Sequence, residues 1–204
     1  GVKFWMDGSP FTGGAASREP YEDTELTNER LGIPHSHMAG LAIDDDAFAG
    51  EVMRLHKLGY QIAVHAQGER AIDAALSAMQ AAQTAFPRAA LHHRIEHNAL
   101  ITREQIQWAG RLGVSLGFFI DHIYYYGDAL PELFGPERAD RYMPVRWAID
   151  EGLVTTLHGD HPASPIGPQR SLRTATTRLS RSGVIQTAPE QSISVEAALL
   201  AMTL

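Results

Sequence analysis

Short β-rich runs alternate with longer helical stretches along almost the whole chain, and this alternation limits the fold more than any other feature. Most of the helical stretches stop at a glycine or just before a proline, as helices in globular proteins commonly do. Strand followed by helix, repeated, indicates an α/β fold with a parallel sheet and helical crossovers. The predicted strands are residues 2–5, 61–65, 91–97, 113–119 and 153–158, and the predicted helices are residues 46–58, 69–86, 102–113, 144–151, 169–182 and 194–204.

The length of the chain limits how much of a closed barrel it can form. It has 204 residues, whereas a complete (β/α)8 barrel usually needs about 250. The first strand begins at once, at Val2, and the last predicted helix is still running at Leu204. We therefore expect residues 1–204 to be a single, incomplete barrel domain, and the chain to be a fragment.

Composition excludes several classes of function. The chain has no cysteine, which excludes disulfides, thiolate zinc sites and thiol nucleophiles. The formal net charge of −7 gives no basic surface for nucleic acid. No apolar run approaches the roughly 20 residues needed to span a bilayer, and the sequence has no pattern of a signal peptide. By default we expect a cytoplasmic protein that binds neither nucleic acid nor membrane.

Polar side chains lie at the ends of several predicted strands. His65 and His97 each end a strand, Asp160 follows a third, and Lys3 lies within the first. Chemistry gathers at the carboxyl ends of strands in parallel α/β folds. Imidazole and carboxylate are the ligands that zinc prefers when no thiolate is available, so these side chains can converge on one metal. Each of them alone is also compatible with a purely structural role, with Asp160 as a turn residue and Lys3 extending to solvent.

Four ordered motifs resemble the amidohydrolase superfamily, and within it the YtcJ-like branch called amidohydrolase family 3. The resemblance covers nearly the whole chain, and it is the order of the motifs that makes it specific. The motifs are Val2-Lys3-Phe4-Trp5-Met6-Asp7-Gly8, Ile62-Ala63-Val64-His65-Ala66-Gln67-Gly68-Glu69-Arg70-Ala71, His93-Arg94-Ile95-Glu96-His97 and Gly159-Asp160-His161-Pro162.

This resemblance implies a partial TIM (β/α)8 barrel made of about strands 4 to 8, and it assigns roles to four residues. Lys3 would lie on strand 4 and, when carbamylated, bridge two metal ions. His65 and His97 would end strands 5 and 6 and bind metal, and Asp160 would end strand 8, bind metal and act as the catalytic general base. The implied cofactor is a divalent metal, with zinc favoured, as one or two ions. The family's His-x-His motif on strand 1 and its strands 1 to 3 are not matched by any part of the chain.

The chain also departs from the family pattern. Glu69 stands where the family usually has aspartate, and His158-Gly159-Asp160 replaces the usual Gly-Ser-Asp, with His161 next. His158 or His161 could contact substrate or supply a spare metal ligand. A separate His35-Ser36-His37 triplet has the His-x-His form, but by its position in the order of motifs we interpret it as a loop feature.

Further residues are candidates for a supporting shell around the metal or for substrate contact. They include Asp7, Arg94 and Glu96 as well as His158 and His161. Strand alternation turns Arg94 and Glu96 away from the side of His97, which argues against Glu96 as a direct ligand. Arg94 and Glu96 could equally form a buried structural contact. The aromatic residues Phe118, Phe119, Tyr124, Tyr125 and Tyr126 could line a pocket, although core packing is the simpler interpretation.

Three functional hypotheses follow. The first is a hydrolase of C–N bonds in amides, formamides or cyclic amides, in which metal-activated water attacks the carbonyl of a small molecule and Asp160 transfers the proton. The second is a catalytically incomplete fragment whose open sheet edges are covered by self-association, which predicts a homo-oligomer. The third is a barrel enzyme that uses Asp160 and the histidines without metal.

Overall fold

A single parallel sheet organises the computed structural model, which describes residues 1–88 and 91–203. Chain order and sheet order are the same, so each strand pairs with the one that follows it in sequence. This arrangement confirms the predicted α/β fold of consecutive strand–helix units, a partial (β/α)8 barrel. The strands are β1 (Val2–Trp5), β2 (Ile62–Ala66), β3 (Arg94–His97), β4 (Ser115–Phe119) and β5 (Thr155–His158).

Helices connect the strands and follow the last one. One helix precedes each of β2, β3 and β4, three separate β4 from β5, and two follow β5. Among the described residues, none of the helices is both long enough and apolar enough to cross a membrane. The helices are α1 (Asp45–Lys57), α2 (Glu69–Ala85), α3 (Arg103–Leu112), α4 (Asp121–Tyr126), α5 (Leu130–Ala139), α6 (Val145–Asp150), α7 (Pro168–Thr177) and α8 (Val195–Thr203).

Helix starts follow the sequence signals closely, whereas one helix end does not. Thr102 and Gln105 form a capping box at the start of α3, the helix that the sequence predicts over residues 102–113. The prediction of a helix over residues 169–182 is wrong at its end, because α7 stops at Thr177 and Arg178 takes a left-handed conformation with φ 58°. The final helix agrees with the prediction up to Thr203, and Leu204 lies outside the described residues.

Side-chain alternation divides the sheet into two faces. Phe4, Val64 and Ile95 turn towards the helices, where the Phe4 ring meets Phe48 of α1 edge to face at 5.3 Å. The opposite face, which corresponds to the interior of a barrel, is more exposed, and Trp5 is 55% exposed there. The apolar core therefore lies between the sheet and its helices, and the polar residues of the strands lie on the other face.

The segment between β1 and α1 has little regular structure, but it is packed against the rest of the molecule. It contains a short 3-10 turn at Pro10–Thr12 and a π-helical turn at Glu25–Arg30. The backbone N–H of Glu22 donates to the Leu133 carbonyl of α5 at 3.0 Å, and the buried Arg138 donates to the Pro20 carbonyl at 2.8 Å. These contacts hold the segment against α5.

A buried pair of histidines joins α1 to the amino-terminal end of the sheet. The Ile62 N–H donates to His93 Nδ1 at 3.1 Å, so the neutral His93 carries its proton on Nε2. That nitrogen lies 2.8 Å from His56 Nδ1, and His56 Nε2 donates to the Phe86 carbonyl at 2.7 Å. Every ring nitrogen of the pair thus has a partner while both rings are neutral. Burial accordingly lowers the pKa of His93 to about 4.

Because of this pair, we expect the free energy of unfolding to fall in acid. The unfolded His93 titrates near 6.5 and the folded one near 4, so the unfolded state binds the proton first as the pH falls. The contribution is complete above about pH 6.5, is lost as the pH falls towards 4, and amounts to about 3 kcal/mol. We expect His93→Asn to flatten the fall in unfolding free energy between pH 7 and pH 4.5, measured by urea denaturation. His92→Asn, at the exposed neighbouring position, should leave that slope unchanged, and an equal slope in both variants would contradict the assignment.

Candidate metal centre

Three histidine rings converge at the carboxyl end of the sheet. His65 is the penultimate residue of β2, His97 ends β3 and His158 ends β5. The ring centroids of His65 and His97 are 4.3 Å apart, and those of His97 and His158 are 5.1 Å apart. Asp160 follows two residues after His158, in an exposed turn with φ 49°. The polar side chains of strand ends that are far apart in sequence therefore lie close together at one edge of the sheet.

The end of β3 departs from a regular strand, which changes where His97 points. His97 and Asn98 both have left-handed backbones, with φ 79° and 52°. The Asn98 side chain stabilises this turn by donating to the carbonyls of Ile95 at 2.8 Å and Gly117 at 3.0 Å. Strict alternation predicted that Glu96 and His97 would lie on opposite sides of the sheet. That prediction is wrong, because the turn brings the His97 ring to the same side as Glu96 and His158.

The donor atoms fit a metal ion. One ligand atom each from His97, His158 and Asp160 can be chosen so that all three lie within 4.8 Å of one another. His65 Nε2, His97 Nδ1 and His158 Nε2 are buried and have no hydrogen-bond partner among the described residues. Buried polar atoms are normally satisfied, so three such nitrogens in one place need a partner of another kind. Imidazole nitrogens with a carboxylate form a donor set that zinc and similar divalent ions accept.

Electrostatics keep these imidazoles neutral. Burial is the largest cause in each case, and it lowers the pKa of His65 to about 4 and the pKa values of His97 and His158 below their usual range. The ammonium group of Lys3 lowers all three pKa values further. Because only a neutral imidazole has a free lone pair, the histidines are in the form that binds metal at neutral pH.

Lys3 lies on the interior face of the sheet, as its predicted role requires. It is exposed, and its Nζ lies 5.1 Å from the centre of the Trp5 ring. Its Cα pairs with Ala63, two residues before His65. Lys3 therefore lies on the same face of the sheet as the histidines, nearer the amino-terminal end of the strands, and close enough to lower their pKa values. Carbamylation of its amine stays a prediction.

Asp7 braces the loop that follows His65. Its buried carboxylate accepts from the backbone N–H groups of Ala16 at 3.0 Å, Gln67 at 3.0 Å and Gly68 at 2.8 Å. A side chain at Gly68 would collide with the backbone of Ala16, so only glycine allows this close approach. Asp7 Oδ1 also approaches His65 Nε2 to 3.5 Å. Asp7 thus has the position of a supporting residue, because it fixes the turn after β2 and faces a candidate ligand.

A second polar group lies on the interior face beneath His158. Arg94 Nε donates to Glu96 Oε1 at 2.7 Å, and Arg94 Nη2 donates to Thr156 Oγ1 at 3.0 Å. Glu96 Oε2 lies 3.9 Å from His158 Nε2. Gly117 leaves room for this carboxylate, because a Cβ there would overlap Glu96. The expected contact between Arg94 and Glu96 is present, and it places a negative charge next to a candidate ligand.

The turn that carries Asp160 is held by a buried carboxylate that the motifs did not indicate. Asp121, at the start of α4, accepts from Arg170 Nη2 at 2.6 Å and from Ser171 Oγ at 3.0 Å. Ser164 Oγ lies 2.8 Å from Asp121 Oδ2 and 2.5 Å from the Gly159 carbonyl. The network ties the turn after β5 to α4 and α7. Asp121 is 43 to 50 residues from the side chains that donate to it, so no local pattern could have indicated the network.

The remaining histidines of the motifs lie outside the cluster. His161 is exposed, with Nδ1 3.3 Å from the Ser164 carbonyl. In the His35-Ser36-His37 triplet, His35 faces Asp23 at 3.3 Å and His37 Nε2 lies 2.8 Å from the Gly13 carbonyl. The triplet is therefore a loop feature, since its two imidazoles have different partners.

Comparison with known proteins identifies the family of the chain. The profile described as the amidohydrolase family matches residues 1–204. The chain belongs to the amidohydrolase family. The YtcJ protein of Bacillus subtilis (strain 168) is 24% identical over 180 residues, 88% of this chain and 31% of that protein. The N-substituted formamide deformylase of Arthrobacter pascens is 28% identical over 153 residues, 74% of this chain and 28% of that protein.

A solved member of similar fold extends the comparison to three dimensions. The crystal structure of an uncharacterized metal-dependent hydrolase from Pyrococcus furiosus superposes with a TM-score of 0.76 at 28% sequence identity. The match covers 98% of this chain and 37% of that protein. The chain thus spans about a third of the length of these amidohydrolase-family proteins.

Proposed function

We propose that this amidohydrolase-family chain contributes metal ligands to a hydrolase that cleaves C–N bonds in amides, formamides or cyclic amides. The observation that carries the proposal is the convergence of three neutral imidazoles, each with one buried nitrogen that lacks a hydrogen bond, beside one exposed carboxylate. The similarity to a relative named N-substituted formamide deformylase supports a C–N bond as the one that is broken.

His65, His97 and Asp160 would hold the ion, with His158 as an additional ligand and with Lys3 completing the centre after carbamylation. Zinc is favoured because the donors are imidazole and carboxylate in a chain that has no cysteine. When bound, such an ion lowers the pKa of water and polarises a carbonyl group. A set of this size could hold one or two ions.

Proton transfer and the positioning of the ligands would be carried out by residues of the chain. Asp160 is exposed and lies beside the imidazoles, so it can accept a proton from the attacking water and return it to the leaving nitrogen. The contacts of Asp121 and Ser164 keep that turn in place. Asp7 fixes the loop after His65, and the Glu96 carboxylate is available to orient His158.

Metal analysis combined with an activity panel tests the proposal. We expect zinc to bind at one or two equivalents after dialysis, and the zinc-loaded protein to hydrolyse at least one of a set of N-formyl and N-acetyl amines. His97→Ala should lose metal, whereas His92→Ala, at an exposed position, should retain it. Failure of zinc, manganese and iron to bind at all would refute the metal centre and favour a metal-free barrel enzyme. Metal binding without turnover would favour the catalytically incomplete fragment.

His158 provides a prediction specific to this chain. Replacing it with glycine, the residue usual at this point of the family motif, should weaken zinc binding by about tenfold or more, because it removes a donor beside His97 and Asp160. Affinity is measured by competition with a chromophoric chelator, and Co²⁺ absorption reports the coordination. His161→Gly is the matched control in the same loop. Unchanged affinity together with an unchanged Co²⁺ spectrum in His158→Gly would exclude His158 from the ligand set.

A further inference from the structure

A small cavity opens beside the candidate metal centre, between the loop after β1, the end of β2 and helix α4. Its volume is about 160 Å³. Its floor includes two residues of the candidate centre, His65 and Asp160, and most of its remaining lining is aromatic. The lining residues are Ser9, Phe11, His65, Gln67, Phe119, His122, Tyr125, Tyr126, Asp160 and Ala163.

The volume of the cavity limits its occupant. An apolar protein cavity of about 150 Å³ admits one benzene molecule. A cavity of about 160 Å³ therefore matches a single six-membered ring with a short substituent.

The walls favour a flat, uncharged ring. Phe11 stacks on Tyr126 with centroids 3.8 Å apart, and the His122 ring meets Phe11 edge to face at 4.9 Å. His122 lies 4.2 Å from Phe119 and is held by the Tyr142 hydroxyl at 3.1 Å. Burial lowers the pKa of His122 to about 3, so this wall is neutral at physiological pH. Aromatic rings pack well against the faces and edges of other rings, which a puckered ring cannot match.

Besides His65 of the candidate centre, the lining has a second residue with a polar atom that lacks a partner within the described part of the chain. Gln67 is 3% exposed, and its Oε1 is buried without a hydrogen bond. The backbone N–H of Gln67 donates to Asp7 at 3.0 Å, which fixes the backbone from which this side chain extends. An unsatisfied buried carbonyl is costly, and an N–H donor from a ligand would restore the missing bond. Asp160 and His65 line the same cavity, so an amide held by Gln67 would stand beside the candidate metal ligands.

We infer that this cavity binds the ring of the substrate: a planar six-membered ring joined within one or two bonds to an amide whose N–H donates to Gln67. The inference rests on the proposed function and narrows its substrate class to ring-bearing amides. Phe11, Tyr126 and His122 are then specificity-determining residues, and Gln67 positions the amide.

Binding of matched probes to the metal-free protein tests the inference without any turnover. The probes are benzamide, cyclohexanecarboxamide and acetamide, which share the amide and differ only in the ring. Dissociation constants come from chemical-shift titration. We expect benzamide to bind at least about fivefold more tightly than either of the others, the gain typical of one aromatic contact. Equal binding of benzamide and cyclohexanecarboxamide, or no detectable binding of benzamide, would overturn the inference.

Paired variants locate the binding. Tyr126→Ala and Gln67→Leu should each weaken benzamide binding about fivefold. Tyr60→Ala, at a comparably exposed tyrosine, and Gln107→Leu, which lines a different pocket, should leave it unchanged. Benzamide binding that neither Tyr126→Ala nor Gln67→Leu alters would place the ring elsewhere and overturn the inference. Because no metal is present, a protein that binds benzamide but hydrolyses nothing would count against the proposed function alone.

Discussion

Replacing Asp160 with asparagine lowers kcat/KM for amide hydrolysis by about 10³-fold if the carboxylate is the group that moves the proton. Asparagine keeps an oxygen in the same place but cannot accept a proton at neutral pH. The side chain is exposed in a turn, so the substitution should leave the fold intact. Asp160→Asn, which replaces one carboxylate oxygen by an amide nitrogen, should therefore have the largest effect on activity while it changes the stability of the protein little.

The measurement has to separate proton transfer from metal binding, because Asp160 is also a candidate ligand. Activity is expressed per bound zinc ion, with metal content determined on the same sample. Asp140→Asn, at another exposed aspartate, is the matched control and should retain activity. If Asp160→Asn lowers kcat/KM per bound zinc ion by less than about tenfold, a group other than Asp160 is the general acid and base.

The parallel sheet and its strand ends could be predicted because they depend on local patterns. Short apolar runs separated by helices of ordinary length allow few other arrangements, and polar residues at the ends of parallel strands meet at one edge. Placing His65, His97 and Asp160 at one edge of the sheet required no long-range information beyond this, whereas the direction of the His97 ring did. Their roles as ligands came from the resemblance to the family and stay predictions.

What the sequence could not indicate depends on contacts between distant residues. The His97 ring joins the cluster only because Asn98 stabilises a left-handed turn by bonding to the carbonyl of Gly117 on the next strand. Asp121 matters because Ser164, Arg170 and Ser171 reach it from a later part of the chain. Gln67 lies in the second family motif but has no role assigned there, and His122 lies outside the four motifs; both gain importance only from the cavity that they line. In each case the residue depends on contacts with other parts of the chain, which the periodicity of a single strand or helix does not indicate.

The early end of α7 has the same kind of cause, and it leads to the largest predicted effect on stability. Arg178 is fully buried and donates to the carbonyls of Thr187 at 2.9 Å, Met143 at 3.1 Å and Tyr142 at 2.5 Å. Within residues 1–88 and 91–203, no carboxylate forms an ion pair with it. Burial lowers its pKa to about 9, so it stays charged at neutral pH and depends on these carbonyls for solvation.

Arg178→Met should lower the free energy of unfolding by on the order of 4 kcal/mol, because it removes the Arg178 donors from the buried carbonyls of Thr187 and Tyr142 and one of the two donors of the Met143 carbonyl, which keeps the Val145 N–H. Urea denaturation measures the loss as a fall in midpoint. If the variant does not fold, Arg178→Lys, which keeps one charged donor, should fold with a smaller loss. Arg181→Met, at an exposed arginine nearby, should change stability by less than about 0.5 kcal/mol. A loss below about 1 kcal/mol in Arg178→Met would mean that water can replace the guanidinium at these carbonyls.

The same variant connects stability to the cavity beside the candidate metal centre. Arg178 holds the backbone at Tyr142, and the Tyr142 hydroxyl holds His122, which lines that cavity. Where Arg178→Lys remains folded, it should therefore weaken benzamide binding although residue 178 does not line the cavity. Arg181→Met should have no such effect. Unchanged benzamide binding in Arg178→Lys would show that His122 keeps its place through ring packing with Phe11 and Phe119 alone.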